Sequence, residues 1–284
     1  MTQVKLSNSD YDNFRHMLED ACGIVLGENK HYLVTSRLNR LSEELAYNSL
    51  SEMLNALNKG GDFKLKERVI DAMTTNETSW FRDTYPFEML KNTMLPEFGK
   101  QKKNPLRIWS AASSTGQEAY SISMTLNEFK QKNPGAFSGR LEIVGTDISP
   151  TVVKSARDAK YDELSIMRGL SEARRNLFFV DQKDGGWTVK PDVRMGIRFT
   201  ELNLLNSYTS LGKFDIIFCR NVLIYFSSAL KTDILNRMAQ VLQPRGYLFL
   251  GGSESPTGYS KAYEMIRLPE GVVYRLKEDW KNLI

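Results

Sequence analysis

From Leu106 onward the chain alternates short apolar runs with longer segments of helical spacing, and few architectures accept that order. Leu106 to Ala111 reads as a buried strand, followed by a small-residue turn and a helix from about Gly116 to Lys132. Leu141 to Thr146 repeats the scheme and ends in Asp147, after which Ser149 and Pro150 supply an N-cap with proline at the first helical position. Phe214 to Cys219 is a third such strand, with Ser228 to Leu242 as its helix, and Pro244-Arg245-Gly246 then turns into Tyr247 to Leu250. Strands alternating with helices imply βαβ units, hence an α/β fold with a parallel sheet and right-handed crossovers. Near the end, Tyr263 to Leu268 and Val272 to Leu276 flank Pro269-Glu270-Gly271 as a hairpin.

Two stretches break the alternation. From Tyr11 to Leu95 the apolar residues fall at helical spacing, as in Phe14, Met17, Leu18 and Ala21, then Val34, Leu38, Leu41 and Leu45. Ser51 to Leu57 and Lys64 to Thr75 read as two further helices. The pattern predicts a helical unit over residues 1–90 and the α/β unit over 91–284, with the basic, Pro-ended Gly99 to Pro105 as linker. The second stretch holds three β-like runs, Phe178 to Val180, Trp187 to Val189 and Ile197 to Thr200, separated by Asp184-Gly185-Gly186 and Pro191-Asp192. They read as a small antiparallel ribbon over about 177–200, or as an irregular excursion.

Composition limits the class of function. With 41% hydrophobic and 25% charged residues in 284, the chain can bury an ordinary globular core. A net charge of +4 favours acidic partners without the strong basicity of a nucleic-acid-binding protein. Cys22 and Cys219 form neither a disulfide framework nor a metal spacing, which suits a reducing compartment. No apolar run approaches the ~20 residues of a membrane span, and Met1 to Asp12 is polar rather than a signal peptide. The expectation is a cytoplasmic monomer with no metal, no nucleic acid and no membrane insertion.

Open α/β sheets bind ligands outside the carboxyl ends of their strands, so the strand ends carry the candidate site. After the first strand, Ser110-Ala111-Ala112-Ser113-Ser114-Thr115-Gly116 would let a ligand approach the backbone closely at a helix start. One glycine is too few for a dinucleotide fingerprint, and no Gly-Lys-Ser/Thr ending marks a phosphate loop. Asp147 stands where an acid would accept hydrogen bonds from ribose hydroxyls, or it is simply a helix-start aspartate. Small residues after one strand and an acid after the next point to a nucleoside-containing cofactor. S-adenosylmethionine fits better than a dinucleotide, because it has no pyrophosphate to demand a multi-glycine turn. Its cationic groups suit a carboxylate such as Glu118, though a glutamate there is also ordinary capping chemistry. Beyond the third strand, Arg220 and Asn221 break out of the apolar run and Tyr225 follows, as cleft lining or as a turn beside a core tyrosine.

Three separated segments occur in a telling order: Thr74-Thr75-Asn76-Glu77-Thr78-Ser79-Trp80-Phe81-Arg82, Trp109 to Glu118, and Phe218-Cys219-Arg220-Asn221-Val222-Leu223-Ile224-Tyr225-Phe226. Together they resemble CheR, the bacterial methyltransferases of chemotaxis receptors, over about residues 7–277. The resemblance implies a Rossmann-like S-adenosylmethionine-dependent methyltransferase sheet, a small all-helical N-terminal domain and an inserted antiparallel β-subdomain. It assigns cofactor contacts to Asn76, Thr78 and Arg82, the cofactor's amino group to Glu118, its ribose to Asp147 and its adenine side to Asn203 and Leu204. Arg220 and Asn221 would line the same cleft. The implied reaction is methylation of receptor glutamates, with S-adenosylhomocysteine as the other product, at receptor arrays. Basic residues of the second helix, here Lys30, Arg37 and Arg40, would dock the receptor's coiled-coil methylation region. Gln117 and Ala119 stand where many relatives have a second acid and a proline, Trp80 replaces a common phenylalanine, and the ribbon around Asp184 to Gly196 is short.

A glutamate carboxylate, with a reference pKa near ~4.3, is already anionic at neutral pH and needs no general base. Arg82 and Tyr225 are the residues expected to orient it, the guanidinium gripping the carboxylate and the hydroxyl steering an oxygen or the methyl group. Two other classes remain. A methyltransferase of another substrate would share the cofactor fold, although no Asn/Asp-Pro-Pro-Tyr/Phe motif is present and Cys219 follows no proline. A non-catalytic S-adenosylmethionine-binding module would bind and transfer nothing.

Overall fold

The computed structural model describes residues 6–183 and 185–284. Four helices come first: α1 (Asn8–Cys22), α2 (His31–Glu44), α3 (Leu50–Lys59) and α4 (Phe63–Met73). Ser7, Ser49 and Asp62 cap α1, α3 and α4 with side-chain acceptors. The apolar stripes of these helices, among them Phe14, Leu18, Val34, Leu38, Leu54 and Val69, close on one another as a separate core. At the end of α1, Gly23 takes φ +79°, and a Cβ there would lie 2.4 Å from Leu230 of the other unit.

The second unit starts earlier than helical spacing suggests. Trp80, Phe81, Phe87 and the apolar residues through Phe98 are buried in the core of the sheet, not in that of the helices. Burying side chains of this size contributes roughly 1.5–3 kcal/mol each, so residues 80–98 are fixed to the sheet. We therefore place the division of the chain near Thr75. Gly99 to Pro105 is not the linker, because α5 (Tyr85–Met89) runs through a π-helical turn, Leu90–Met94, into α6 (Leu95–Lys100) inside the sheet unit. Gly99 serves packing there, since the backbone carbonyl of Ala136 leaves no room for a Cβ.

The sheet unit then follows the alternation read from the sequence: β1 (Leu106–Ala111), α7 (Gln117–Lys132), β2 (Leu141–Asp147) and α8 (Pro150–Asp158). An excursion follows, made of β3 (Lys160–Asp162), α9 (Glu163–Met167), α10 (Glu172–Phe178), β4 (Phe179–Gln182), β5 (Gly186–Val189) and α11 (Pro191–Arg194). The chain returns through β6 (Ile197–Glu201), β7 (Phe214–Cys219), α12 (Ser228–Val241), β8 (Leu242–Leu250), β9 (Tyr263–Leu268) and β10 (Gly271–Leu276). The main sheet runs β6-β2-β1-β7-β8-β10-β9, parallel through β8 and antiparallel at β10 and β9.

Two expectations change here. The ribbon is antiparallel, but its third strand is β3, in the order β3-β5-β4. Ile197 to Thr200 instead pairs in parallel with β2 at the edge of the main sheet. Asp184, in the turn expected between β4 and β5, lies outside the described residues. Pro244 to Gly246 does not turn either, because β8 continues through it, with a register shift opposite Phe214 and Ile216 and Arg245 at φ 60°.

Strand order reverses between β1 and β7: one half of the sheet grows outward through β2 and β6, the other through β8. Such a switch point opens a crevice at the carboxyl ends of the strands, and here α1, α2 and the 74–84 segment cover it.

Candidate active site

A cavity of about 280 Å³ fills that crevice. Every site residue read from the sequence lines it except Arg40, which stands 86% exposed on α2 and pairs with Glu44 at 2.9 Å.

The floor comes from the strand ends. After β1 the chain passes through Ala112 and Ser114 with φ of 54° and 50° and through Gly116 at 96°, a kinked turn along the cavity floor. Gly116 is required, since a Cβ would stand 3.0 Å from Ala156 and 3.1 Å from Phe199 and Tyr120. The Asp147 carboxylate accepts the amides of Ser114 at 2.8 Å and Ser149 at 3.1 Å. Burial still pushes its pKa above the ordinary carboxylate range, and Asp71 adds to this, while the backbone amides work the other way.

Arg220 organises the next part. Its side chain is 2% exposed and donates to Glu118 at 3.1 Å and to Asp83 at 2.5 Å. The same guanidinium donates to the carbonyl of Arg82 at 3.1 Å, so it ties α7 to the covering segment. One guanidinium between two carboxylates leaves a net charge of about −1 beside the cavity, a suitable environment for a cationic ligand. Ser110 also donates to Glu118, at 2.7 Å. Gln117 is buried against Thr115, outside the lining.

The covering wall is tied down by polar contacts from several elements. Asn76 gives its carbonyl to the Ser114 hydroxyl at 2.8 Å and its amide to Thr74 at 3.1 Å. Asn203 donates to the carbonyl of Ala21 at 2.7 Å and accepts the amide of Leu205, so it spends its side chain joining α1 to the loop after β6. Leu204 beside it is buried and apolar. Asp71 of α4 accepts the hydroxyls of Ser149 and of Thr151, the latter at 2.6 Å. Arg37 donates to the carbonyls of Met73 at 2.5 Å and Thr74 at 2.9 Å and to the hydroxyl of Thr75 at 2.9 Å. That clamp on the covering segment is a task the sequence did not assign to Arg37, and it corrects the picture of Arg37 and Arg40 as one docking flank.

The Arg82 guanidinium makes one hydrogen bond among the described residues, to the carbonyl of Glu77 at 3.2 Å, and Tyr225 uses its carbonyl to accept the amide of Val25. Lys30, Arg37 and Arg82 enter no ion pair among the described residues. Thr78 completes the covering side. The sequence reading missed the apolar wall from the loop after α1, Ile24 to Leu26, and Ile148 and Leu202 opposite it. Ile24-Val25-Leu26 between Gly23 and Gly27 was a visible signal, an apolar tripeptide in a loop.

Cys219 is fully buried with its pKa pushed well up by burial, and Cys22, which lines the cavity, is pushed up to about 11 for the same reason. Neither thiol is a nucleophile at neutral pH. Among the described residues no His/Cys/Asp/Glu group could hold a metal ion, and no helix is long and apolar enough to cross a membrane.

The lining fits an adenosine-containing sulfonium compound on three counts. The side-chain oxygens of Ser113 and Asn221 are buried without a hydrogen-bond partner. Asp147 and Glu118 supply anionic acceptors, and Ile24, Leu26, Ile148, Leu202 and Leu204 supply an apolar wall. A family model described as "CheR methyltransferase, all-alpha domain" matches residues 9–74, and one described as "CheR methyltransferase, SAM binding domain" matches 76–272. The chain belongs to the CheR methyltransferase family. The two models meet at the segment that Arg37 clamps. Chemotaxis protein methyltransferase Cher2 of Pseudomonas putida is 51% identical over 277 residues, covering 96% of this chain and 100% of the relative. Chemotaxis protein methyltransferase 1 of Pseudomonas aeruginosa is 50% identical over 277 residues, with the same coverage. The chemotaxis protein methyltransferase of Salmonella typhimurium is 33% identical over 284 residues, covering 98% of this chain and 94% of its own. The cofactor of this CheR methyltransferase is S-adenosylmethionine.

Proposed function

We propose that this chemotaxis methyltransferase esterifies the side-chain carboxylates of specific glutamates in the cytoplasmic methylation region of chemoreceptors. S-adenosylmethionine supplies the methyl group as a sulfonium electrophile, and S-adenosylhomocysteine leaves. The observation that carries the reading is the division of charge across the cleft. The strand-end floor holds Asp147 and Glu118, and Arg220 joins Glu118 to Asp83 of the covering segment in a group of net negative charge, suited to the cofactor's cations. The covering side holds Lys30, Arg37 and Arg82 without ion-pair partners, suited to an incoming carboxylate.

In this reading Asn76, Thr78, Glu118, Asp147, Asn203, Leu204 and Asn221 hold the cofactor, and Arg220 holds Glu118 in place. Because Asn203 already binds Ala21, its contribution to the adenine side is mostly to set the wall. Arg82 grips the substrate carboxylate, and the Tyr225 hydroxyl steers it into line with the methyl group. Such alignment is worth as much as ~7–11 kcal/mol of barrier in favourable systems, and no proton needs to move. A full grip on both carboxylate oxygens would stabilise the attacking charge and slow transfer, so Arg82 positions without neutralising. The exposed Arg40 and Lys30 serve receptor docking, which would bring the enzyme to receptor arrays.

The test is methyl transfer from radiolabelled cofactor to receptor-containing membranes. Base-labile label on receptor protein supports a glutamate ester; base-stable label points to another substrate, and absence of label with intact cofactor binding points to a binding module. Tyr225→Phe should lower kcat about tenfold while S-adenosylhomocysteine affinity stays within about twofold.

A further inference from the structure

Beyond β8 the chain turns through Gly251-Gly252-Ser253-Glu254, and none of these residues lines the cleft. The Glu254 carboxylate nevertheless reaches back to the segment that does. Its Oε2 accepts the amides of Asn221 and Gly251, both at 2.7 Å, and its Oε1 accepts the amide of Ile224 at 3.3 Å.

The turn from Arg220 to Tyr225 needs such an anchor. Asn221 sits at φ 58°, a left-handed conformation that persists in a non-glycine residue only when its surroundings hold it. The 3-10 turn Leu223–Tyr225 is a single turn, so its leading amides have no partner within it. Glu254 enters no ion pair among the described residues, so backbone amides take up the charge. The seat exists because position 251 is glycine: a Cβ there would stand 2.7 Å from Asn221 Nδ2 and 2.7 Å from Glu254 Oε2.

We propose that Glu254 is a positioning residue for methyl transfer, fixing the Asn221–Ile224 turn and through it the direction in which Tyr225 enters the cleft. The proposal rests on the reading of Tyr225 as the group that steers the substrate carboxylate. Glu254 does not line the cleft, so its removal should act on turnover through alignment.

The experiment is a double-mutant cycle on the full-length enzyme. Glu254→Gln should lower kcat about tenfold, with a smaller loss of S-adenosylhomocysteine affinity through Asn221, and in a Tyr225→Phe background it should cost less than about twofold more in kcat. Native-state hydrogen exchange, which needs no substrate, should show the Asn221 and Ile224 amides exchanging faster in Glu254→Gln while those of β7 keep their protection. If Tyr225→Phe lowers kcat but Glu254→Gln does not, the inference is wrong and the reading of Tyr225 stands. If Tyr225→Phe leaves kcat unchanged, both fall. Equal losses in the two backgrounds, or unchanged exchange, also overturn the inference. Should Glu254→Gln fail to fold, Glu254→Asp keeps the charge but not the reach and is held to the same readings.

Discussion

Arg220 on the sheet side of the cleft and Arg37 on the helical side both clamp the covering segment, and they do so with different chemistry. Arg220 is buried and answers two carboxylates, so its charge is spent within the fold. Arg37 donates to two carbonyls and a hydroxyl, all neutral, so its charge remains for the cleft. The floor thus presents Asp147 and Glu118, while the cover, tied by neutral hydrogen bonds from Arg37 and by the Arg220–Asp83 and Arg168–Glu77 ion pairs, presents Lys30, Arg37 and Arg82 without ion-pair partners among the described residues. Such a division suits a cofactor that stays put and an anionic substrate that comes and goes.

The largest effect expected is on Arg220. Arg220→Ala would leave Glu118, 13% exposed, without a cation, at a cost of about 3 kcal/mol in folding free energy, measured as a shift in the urea midpoint. Cofactor affinity should fall with it. Arg37→Ala removes neutral hydrogen bonds only and should cost about 1–2 kcal/mol, together with some cofactor affinity, because the covering segment loosens. Equal losses from the two variants would dissolve the contrast between the walls. Arg40→Glu provides the control: its exposed pair with Glu44 is worth well under ~1 kcal/mol, so stability and cofactor affinity should hold while receptor methylation weakens. Reversing Arg37 and Arg40 together would confound docking with the clamp.

The same contrast explains what the sequence made legible. The floor is local. An apolar run, a polar break and a helix start lie within a dozen residues, so Leu106–Ala111, Asp147 and Arg220-Asn221 could be read from order alone. The cover is assembled from distant parts. Asn203 meets Ala21 across 182 residues and Arg220 meets Asp83 across 137, and no local pattern announces either pair. Ile197 to Thr200 failed for a related reason: four residues with β character do not say whether the partner strand is a neighbour in sequence or β2, more than fifty residues back. Trp80 and Phe81 are buried against the sheet, but the helical spacing around them hid which core they join.

The smallest effect is the most diagnostic of the floor. Burial raises the pKa of Asp147 in the folded protein, whereas in the unfolded chain it reverts to about 3.9. Between those two values the folded state binds the proton first, so Asp147 makes stability rise as pH falls through the window. The penalty for its ionised form is fully present above the folded pKa. Cofactor binding should move in the opposite sense. Ribose hydroxyls donate to a carboxylate, so protonation of Asp147 weakens the complex, by at most about tenfold per pH unit for a single proton. Calorimetric titration with S-adenosylhomocysteine should therefore show affinity starting to fall at a pH above the ordinary carboxylate range, and Asp147→Asn should flatten that dependence. Were affinity to decline only below about pH 4, where exposed carboxylates titrate, the ribose role of Asp147 would be lost and the negative floor would rest on Glu118 alone.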